Sequence, residues 1–150
     1  MEAQHPNSQS DWNRLMFELS KQFWFESAHT LERIVDTESS RHIHGHSYRA
    51  EVTVFGKPDT ESGMLVDLGV LEAEIEEARG ALDHRFLNEI NDLGPATMEN
   101  LCAWIWRRLS QNITNLSKVT IYLDSSGDKC VYHGPPEREP FASLAREVTA

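Results

Sequence analysis

No stretch of this chain approaches the roughly 18 uninterrupted apolar residues that a membrane-spanning helix requires, so no membrane partner is expected. Cysteine is scarce, with Cys102 and Cys130 alone, and their spacing matches no zinc knuckle. Basic residues are also few: 14 Lys and Arg stand against 24 Asp and Glu, a formal net charge of -10. That balance argues against nucleic-acid binding, which needs a basic face to neutralise phosphates. A local basic pocket for a small anion remains compatible with it. The opening "MEAQHPNSQSDWNR" lacks the apolar segment of a secretory signal, so reduced thiols and a cytoplasmic location are expected. What the chain does have is a 39% hydrophobic content over 150 residues, enough for one domain with its own core.

Residues 1–13 read as a flexible leader, 14–134 as the domain and 135–150 as a proline-led tail. Within the domain, Leu15, Phe17, Leu19, Phe23 and Phe25 alternate, the period of a strand with one buried face. "TLERIVDTESSR" reads as a loop. "HSYRAEVTVFG" is a second strand with Tyr48, Ala50, Val52 and Val54 on one side, and the two strands are expected to pair antiparallel. Asp67 is placed to cap a helix with Leu68, Leu71, Ile75, Ala78 and Leu82 on one face. Thr97 caps another, striped by Leu101, Ile105 and Leu109 with Trp104 alongside. "KVTIYLD" and "KCVYHG" follow as strands around the turn "SSGD", so the element order is ββααββ.

Seven histidines occur in all, and His42, His44 and His46 fall within five positions at the start of the second strand. His44 and His46 share a strand face with Tyr48 and Val52. Two inward imidazoles are either hydrogen-bonded strand-end residues or metal ligands. If the strands pair, His29 at the end of the first comes close, and three imidazoles leave a fourth metal position open. His-x-His also opens cupin sites, where a glutamate follows. Glu51 has the opposite parity, however, and the two helices fit a strand-dominated cupin badly.

The segments "FESAH", "HGHSYRAEVTVFG", "SGMLVDLGVL", "LDHRFLNE", "ATMENL" and "LDSSGDKCVY" occur in this order over residues 25–132. Together they resemble the 6-pyruvoyltetrahydropterin synthase and 6-carboxytetrahydropterin synthase family. The resemblance implies an α+β T-fold with an antiparallel sheet and two helices on one face. It implies assembly into a barrel, as a homohexamer of two trimers with sites between subunits. It also implies Zn2+ held by His29, His44 and His46, and a small-molecule pterin substrate, 7,8-dihydroneopterin triphosphate. Asp83 and His84 match the family's acid–base pair. Glu99 and Asp124 fall where pterin-binding carboxylates are expected, and the deazapurine (queuosine) route is the nominal pathway. Lys21, Arg33, Arg41 and Arg49 are candidates to face the triphosphate.

Two positions depart from the family pattern. The bacterial enzymes carry a cysteine where this chain has Ser40, and the pyruvoyl-forming enzymes carry it where this chain has Glu38. A thiol titrates within reach of neutral pH, and a serine hydroxyl does not. Some relatives use a glutamate in this region and release 6-hydroxymethyl-7,8-dihydropterin, so Glu38 is a candidate base, with Ser40 and His42 as others. Asp124 stands where the family has a glutamate, shorter by one methylene.

Overall fold

A computed structural model describes residues 15–136. The leader expected over 1–13 and the tail beyond 136 lie outside the described residues. Strands β1 (Phe17–His29) and β2 (His44–Gly56) pair antiparallel over their whole length, from Phe17 opposite Gly56 to His29 opposite His44. β2 continues to β4 (Leu116–Leu123) and β4 to β5 (Asp128–Tyr132), both antiparallel. The two-residue β3 (Arg85–Phe86) adds to the other edge, parallel to β1, giving the order β3-β1-β2-β4-β5. Connecting these are α1 (Thr37–Arg41), α2 (Leu68–Leu82), a 3-10 turn (Leu87–Glu89) and α3 (Met98–Leu109). The α+β class and the expected ββααββ framework are present, with α1 and β3 as additions.

The core lies between one sheet face and the two long helices. Phe23, Phe25, Tyr48, Ala50, Val52, Val54, Val119 and Ile121 supply the sheet side. Leu71, Ile75, Ala78 and Leu82 of α2, with Leu101, Trp104, Ile105 and Leu109 of α3, supply the other. Both stripes follow the 3.6-residue period. Both caps form: Asp67 Oδ1 accepts from the N–H groups of Gly69 and Val70, and Thr97 Oγ1 from Asn100. Leu68, expected on the α2 stripe, is 54% exposed as the first residue of the helix, and burial begins at Leu71. Phe17 is 42% exposed and lines an open groove with Met64–Gly69.

The connection between β1 and β2 is more ordered than its composition suggests. Thr37 Oγ1 donates to the Arg33 carbonyl at 2.8 Å, and Ser40 Oγ donates to the carbonyls of Asp36 and Thr37. These hydroxyls close one helical turn, α1, entered through Asp36 in a left-handed conformation. Leu31 N–H donates to the Ser40 carbonyl at 2.8 Å and ties that turn to the end of β1.

Two glycines in this fold tolerate a methyl group very differently. Gly134 has φ of +90°, and a Cβ there would lie 2.6 Å from the Trp106 ring, itself packed edge-on against Tyr132. Gly80 sits within α2, where a Cβ meets nothing within 4 Å. Gly134→Ala is therefore expected to destabilise by about 1–3 kcal/mol, while Gly80→Ala stabilises by about 0.5–1 kcal/mol. Chemical denaturation of the two variants checks both signs.

Candidate metal centre and substrate cavity

The register of β1 and β2 builds the site. His29 and His44 are cross-strand partners, and His46 is opposite Ser27. Residues two apart on a strand share a face, so His29, His44 and His46 converge above Tyr48. Their ring centroids lie 4.6–4.9 Å apart, with planes inclined by 69–89°. One nitrogen from each falls within 4.8 Å of the others.

Backbone carbonyls choose the tautomers. His29 Nδ1 donates to the Ala96 carbonyl, just before α3, and His44 Nδ1 to the His42 carbonyl, each at 2.8 Å. A carbonyl can only accept, so both rings turn a lone pair outward at Nε2. Those two Nε2 atoms are 3.0 Å apart. Two lone pairs at that distance repel unless a cation lies between them, and a tetrahedral zinc would set such nitrogens about 3.4 Å apart. Burial lowers the His29 pKa, against the Ala96 carbonyl, with His44 adding to the lowering. Burial and then the two neighbouring imidazoles lower that of His46. Neutral imidazole is the ligating form, so these residues can hold a metal ion. The Tyr48 hydroxyl, 3.4 Å from His29 Nδ1, is pushed up by burial and stays protonated.

The imidazoles open into a cavity of about 720 Å³ that Ser40, Arg33, Thr97, Glu99, Leu123, Ser126 and Asp128 also line. That volume suits a small heterocyclic ligand. Of the residues singled out from sequence, His29, His44, His46, Ser40, Glu99 and Arg33 meet here. Ser40 is buried in the wall with its hydroxyl donated to main-chain carbonyls. Glu38, on the same turn, is exposed and does not line the cavity. His42 is exposed and contributes its carbonyl. Asp124 lies on the opposite face of the sheet, where Arg49 Nε and Nη2 donate to its two oxygens at 2.9 and 2.8 Å. Lys21 and Arg41 pair with Glu72 and Glu32 on the surface. Glu51 accepts from Gln22 on the face away from the imidazoles, which removes the cupin arrangement. Cys102 and Cys130 lie together between α3 and β5, away from the cavity, and burial raises both thiol pKa values.

His84 lines a different depression, about 600 Å³, which His46, Glu26 and Ser27 share, and Asp83 sits beside it. His84 Nδ1 is 3.0 Å from Asp83 Oδ2, and the ring is 77% exposed. The Glu26 backbone N–H holds the Asp83 carboxyl below the usual range, against the effect of partial burial, and His84 and Arg79 assist. His84 takes a left-handed φ of 55° as its N–H donates to the Glu26 carbonyl. The ring stays clear of the core. A further apolar groove of about 570 Å³ runs between Phe17 and Met64–Gly69. Its acidic groups are occupied, Asp67 by the α2 cap and Glu18 by Lys118 at 2.9 Å. Sequence reasoning missed Tyr48, Ser126 and Asp128 as cavity residues. The parity of Tyr48 with His44 and His46 was a usable signal, whereas Asp128 depends on the hairpin register.

A small α+β domain with three convergent imidazoles beside a carboxylate-bearing cavity can hold a metal ion and has room beside it for a small organic ligand. The family profile described as 6-pyruvoyl tetrahydropterin synthase matches residues 18–135. A Synechocystis protein named 6-carboxy-5,6,7,8-tetrahydropterin synthase is 35% identical over 101 residues, 64% of this chain and 77% of that one. A Pyrococcus furiosus protein named dihydroneopterin monophosphate aldolase is 35% identical over 89 residues, 59% of this chain and 71% of that one. The solved Caenorhabditis elegans 6-pyruvoyl tetrahydropterin synthase superposes with a TM-score of 0.70 at 27% identity, covering 81% of this chain and 97% of that one. The chain belongs to the 6-pyruvoyl tetrahydropterin synthase family.

The lowered pKa values set a pH dependence. Unfolded histidine titrates near 6.5, so below that pH the unfolded chain binds protons that folded His29 and His46 refuse. Stability of metal-free protein should be flat above about pH 7 and fall as the pH drops through 6.5. Urea titration of chelator-treated protein at pH 7.5 and 5.5 checks this, and His46→Gln should flatten the profile.

Proposed function

We propose that this protein is a cytoplasmic zinc-dependent lyase acting on 7,8-dihydroneopterin triphosphate, with 6-carboxytetrahydropterin synthase activity in deazapurine (queuosine) synthesis. The observation that carries this reading is the set of three imidazoles, two with tautomers fixed by carbonyls, facing a cavity that also holds Glu99. His29, His44 and His46 would hold the zinc, whose Lewis acidity lowers the pKa of side-chain hydroxyls bound beside it.

The other roles belong to the protein. Glu99 accepts hydrogen bonds from the N–H groups of the ring, at the first turn of α3, where the helix dipole favours a carboxylate. Arg33 supplies positive charge for the phosphates. His84 moves a proton at a side-chain carbon, and Asp83 orients its Nδ1. A homohexamer of two trimers, with sites between subunits, is the arrangement in which an exposed His84 serves the cavity of a neighbouring copy.

A second reading is cleavage of the side chain to 6-hydroxymethyl-7,8-dihydropterin with Glu38 as base, a role for which Glu38, outside this chain's own cavity wall, would have to serve the cavity of a neighbouring copy; one observation favours the cleavage. No thiol lines the cavity among the described residues, and Ser40 Oγ is occupied as a donor to carbonyls. The name of the Pyrococcus relative fits that chemistry.

One assay separates these readings. Metal-quantified protein is incubated with 7,8-dihydroneopterin triphosphate, with and without acetaldehyde trapping, and products are identified by mass. A 6-carboxytetrahydropterin product supports the first reading, and a hydroxymethyl product lost in Glu38→Gln supports the second. His44→Ala should drop bound zinc from about one per chain to a small fraction and reduce turnover more than 100-fold, beyond the 10–100-fold typical of groups that only orient a ligand. Zinc and pterin binding without turnover would identify a binding paralogue and overturn both.

A further inference from the structure

The hairpin at the end of the sheet decides which carboxylate faces the imidazoles. Gly127, at φ of +77°, closes a turn in which its N–H donates to the Leu123 carbonyl at 2.9 Å. That turn sets Leu123 directly opposite Asp128. Cross-strand partners project to the same side of a sheet, and Leu123 and Asp128 both line the cavity. Asp124, one residue beyond Leu123, turns to the other side. It joins the Arg49 guanidinium, which lies 3.7 Å over the Tyr122 ring, and both Asp124 oxygens are engaged there. Asp128 differs in its bonding. Its Oδ2 accepts from Ser126 Oγ at 2.7 Å, and no second side-chain partner takes its carboxylate among the described residues.

We infer that Asp128, not Asp124, is the carboxylate that works with Glu99 to bind the heterocycle in this cavity. The inference rests on the pterin reading above. A pterin edge presents a 2-amino group and an adjacent ring N–H, two parallel donors that one carboxylate accepts together. Ser126 orients Asp128 by holding one oxygen, which leaves the carboxylate further acceptor capacity. The carboxylate on the cavity side of the hairpin thus belongs to the start of β5 and not to the end of β4. Asp124 instead acts with Arg49 and Tyr122 to brace the reverse face of the sheet.

The test uses the full chain with its metal content measured. Neopterin, which is fluorescent and carries no phosphate, is titrated against wild type, Asp128→Asn, Asp124→Asn and Ser126→Ala. The same titrations are run with the lumazine of identical side chain, in which an oxo group replaces the 2-amino donor. Asp128→Asn should weaken neopterin binding about tenfold or more and bring the neopterin-to-lumazine preference toward one, with metal content unchanged. Asp124→Asn should change neither by more than about threefold, and Ser126→Ala should give an intermediate loss of preference. Loss in Asp124→Asn with Asp128→Asn unaffected overturns the inference, as does an unchanged preference in both aspartate variants. If Asp128→Asn loses its metal, Ser126→Ala is decisive, and an unchanged preference there overturns it. Metal-loaded wild type that ignores neopterin altogether overturns the pterin reading itself, and this inference with it.

Discussion

The continuous antiparallel pairing of β1 with β2 is the constraint on which the site depends. It brings His29 opposite His44, although a 14-residue connection separates them in sequence. A one-residue slip would send every side chain of one strand to the other face. Phe23 and Phe25 would then leave the core, and His29 would leave the cluster. The energy that holds the register therefore comes from the apolar face, and the imidazoles take their positions from it. The strand that buries Phe25 against Tyr48, ring centroids 5.0 Å apart, is the strand that delivers His29 to the site.

The electrostatics of the cluster are set by carbonyls and burial, since among the described residues no carboxylate bonds to these three imidazoles. Two Nδ1–H groups are committed to main-chain oxygens that only accept, and burial disfavours the charged rings. The result is a concentration of lone pairs in a chain whose overall charge is -10. The acidic excess is kept elsewhere, in caps and surface pairs such as Asp67 and Asp124. Among the described residues, Glu99 and Asp128 are the carboxylates that line the cavity.

His46 links the two concave regions, lining both the imidazole cavity and the depression that holds His84. At the sheet edge beside the short parallel β3, His84 stands exposed and Asp83 is largely covered. The pair is stiff nonetheless, because Asp83 bonds to the Glu26 backbone and Arg79 bonds to both Asp83 and the Trp24 carbonyl. Asp83 is thus braced from behind while the His84 ring faces solvent.

Periodicity and capping made much of this legible in advance. The alternation through Phe25 and Tyr48, the stripes of α2 and α3, and the caps Asp67 and Thr97 are local patterns that the tertiary structure had no cause to override. The shared face of His44 and His46 follows from the two-residue period alone, and the order of six short motifs carried the family. What one strand cannot reveal is which residues of other elements meet it. Ala96 as the acceptor for His29 and Asp124 captured by Arg49 depend on contacts between segments far apart in the chain, and Ser40 is turned into the wall by bonds within a helical turn that the loop-like composition concealed. An ungapped count along the sequence points to Asp124, because counting ignores which way a hairpin turns. Gly127 and the Leu123–Asp128 pairing decide that, by putting Asp128 on the imidazole side and Asp124 on the other.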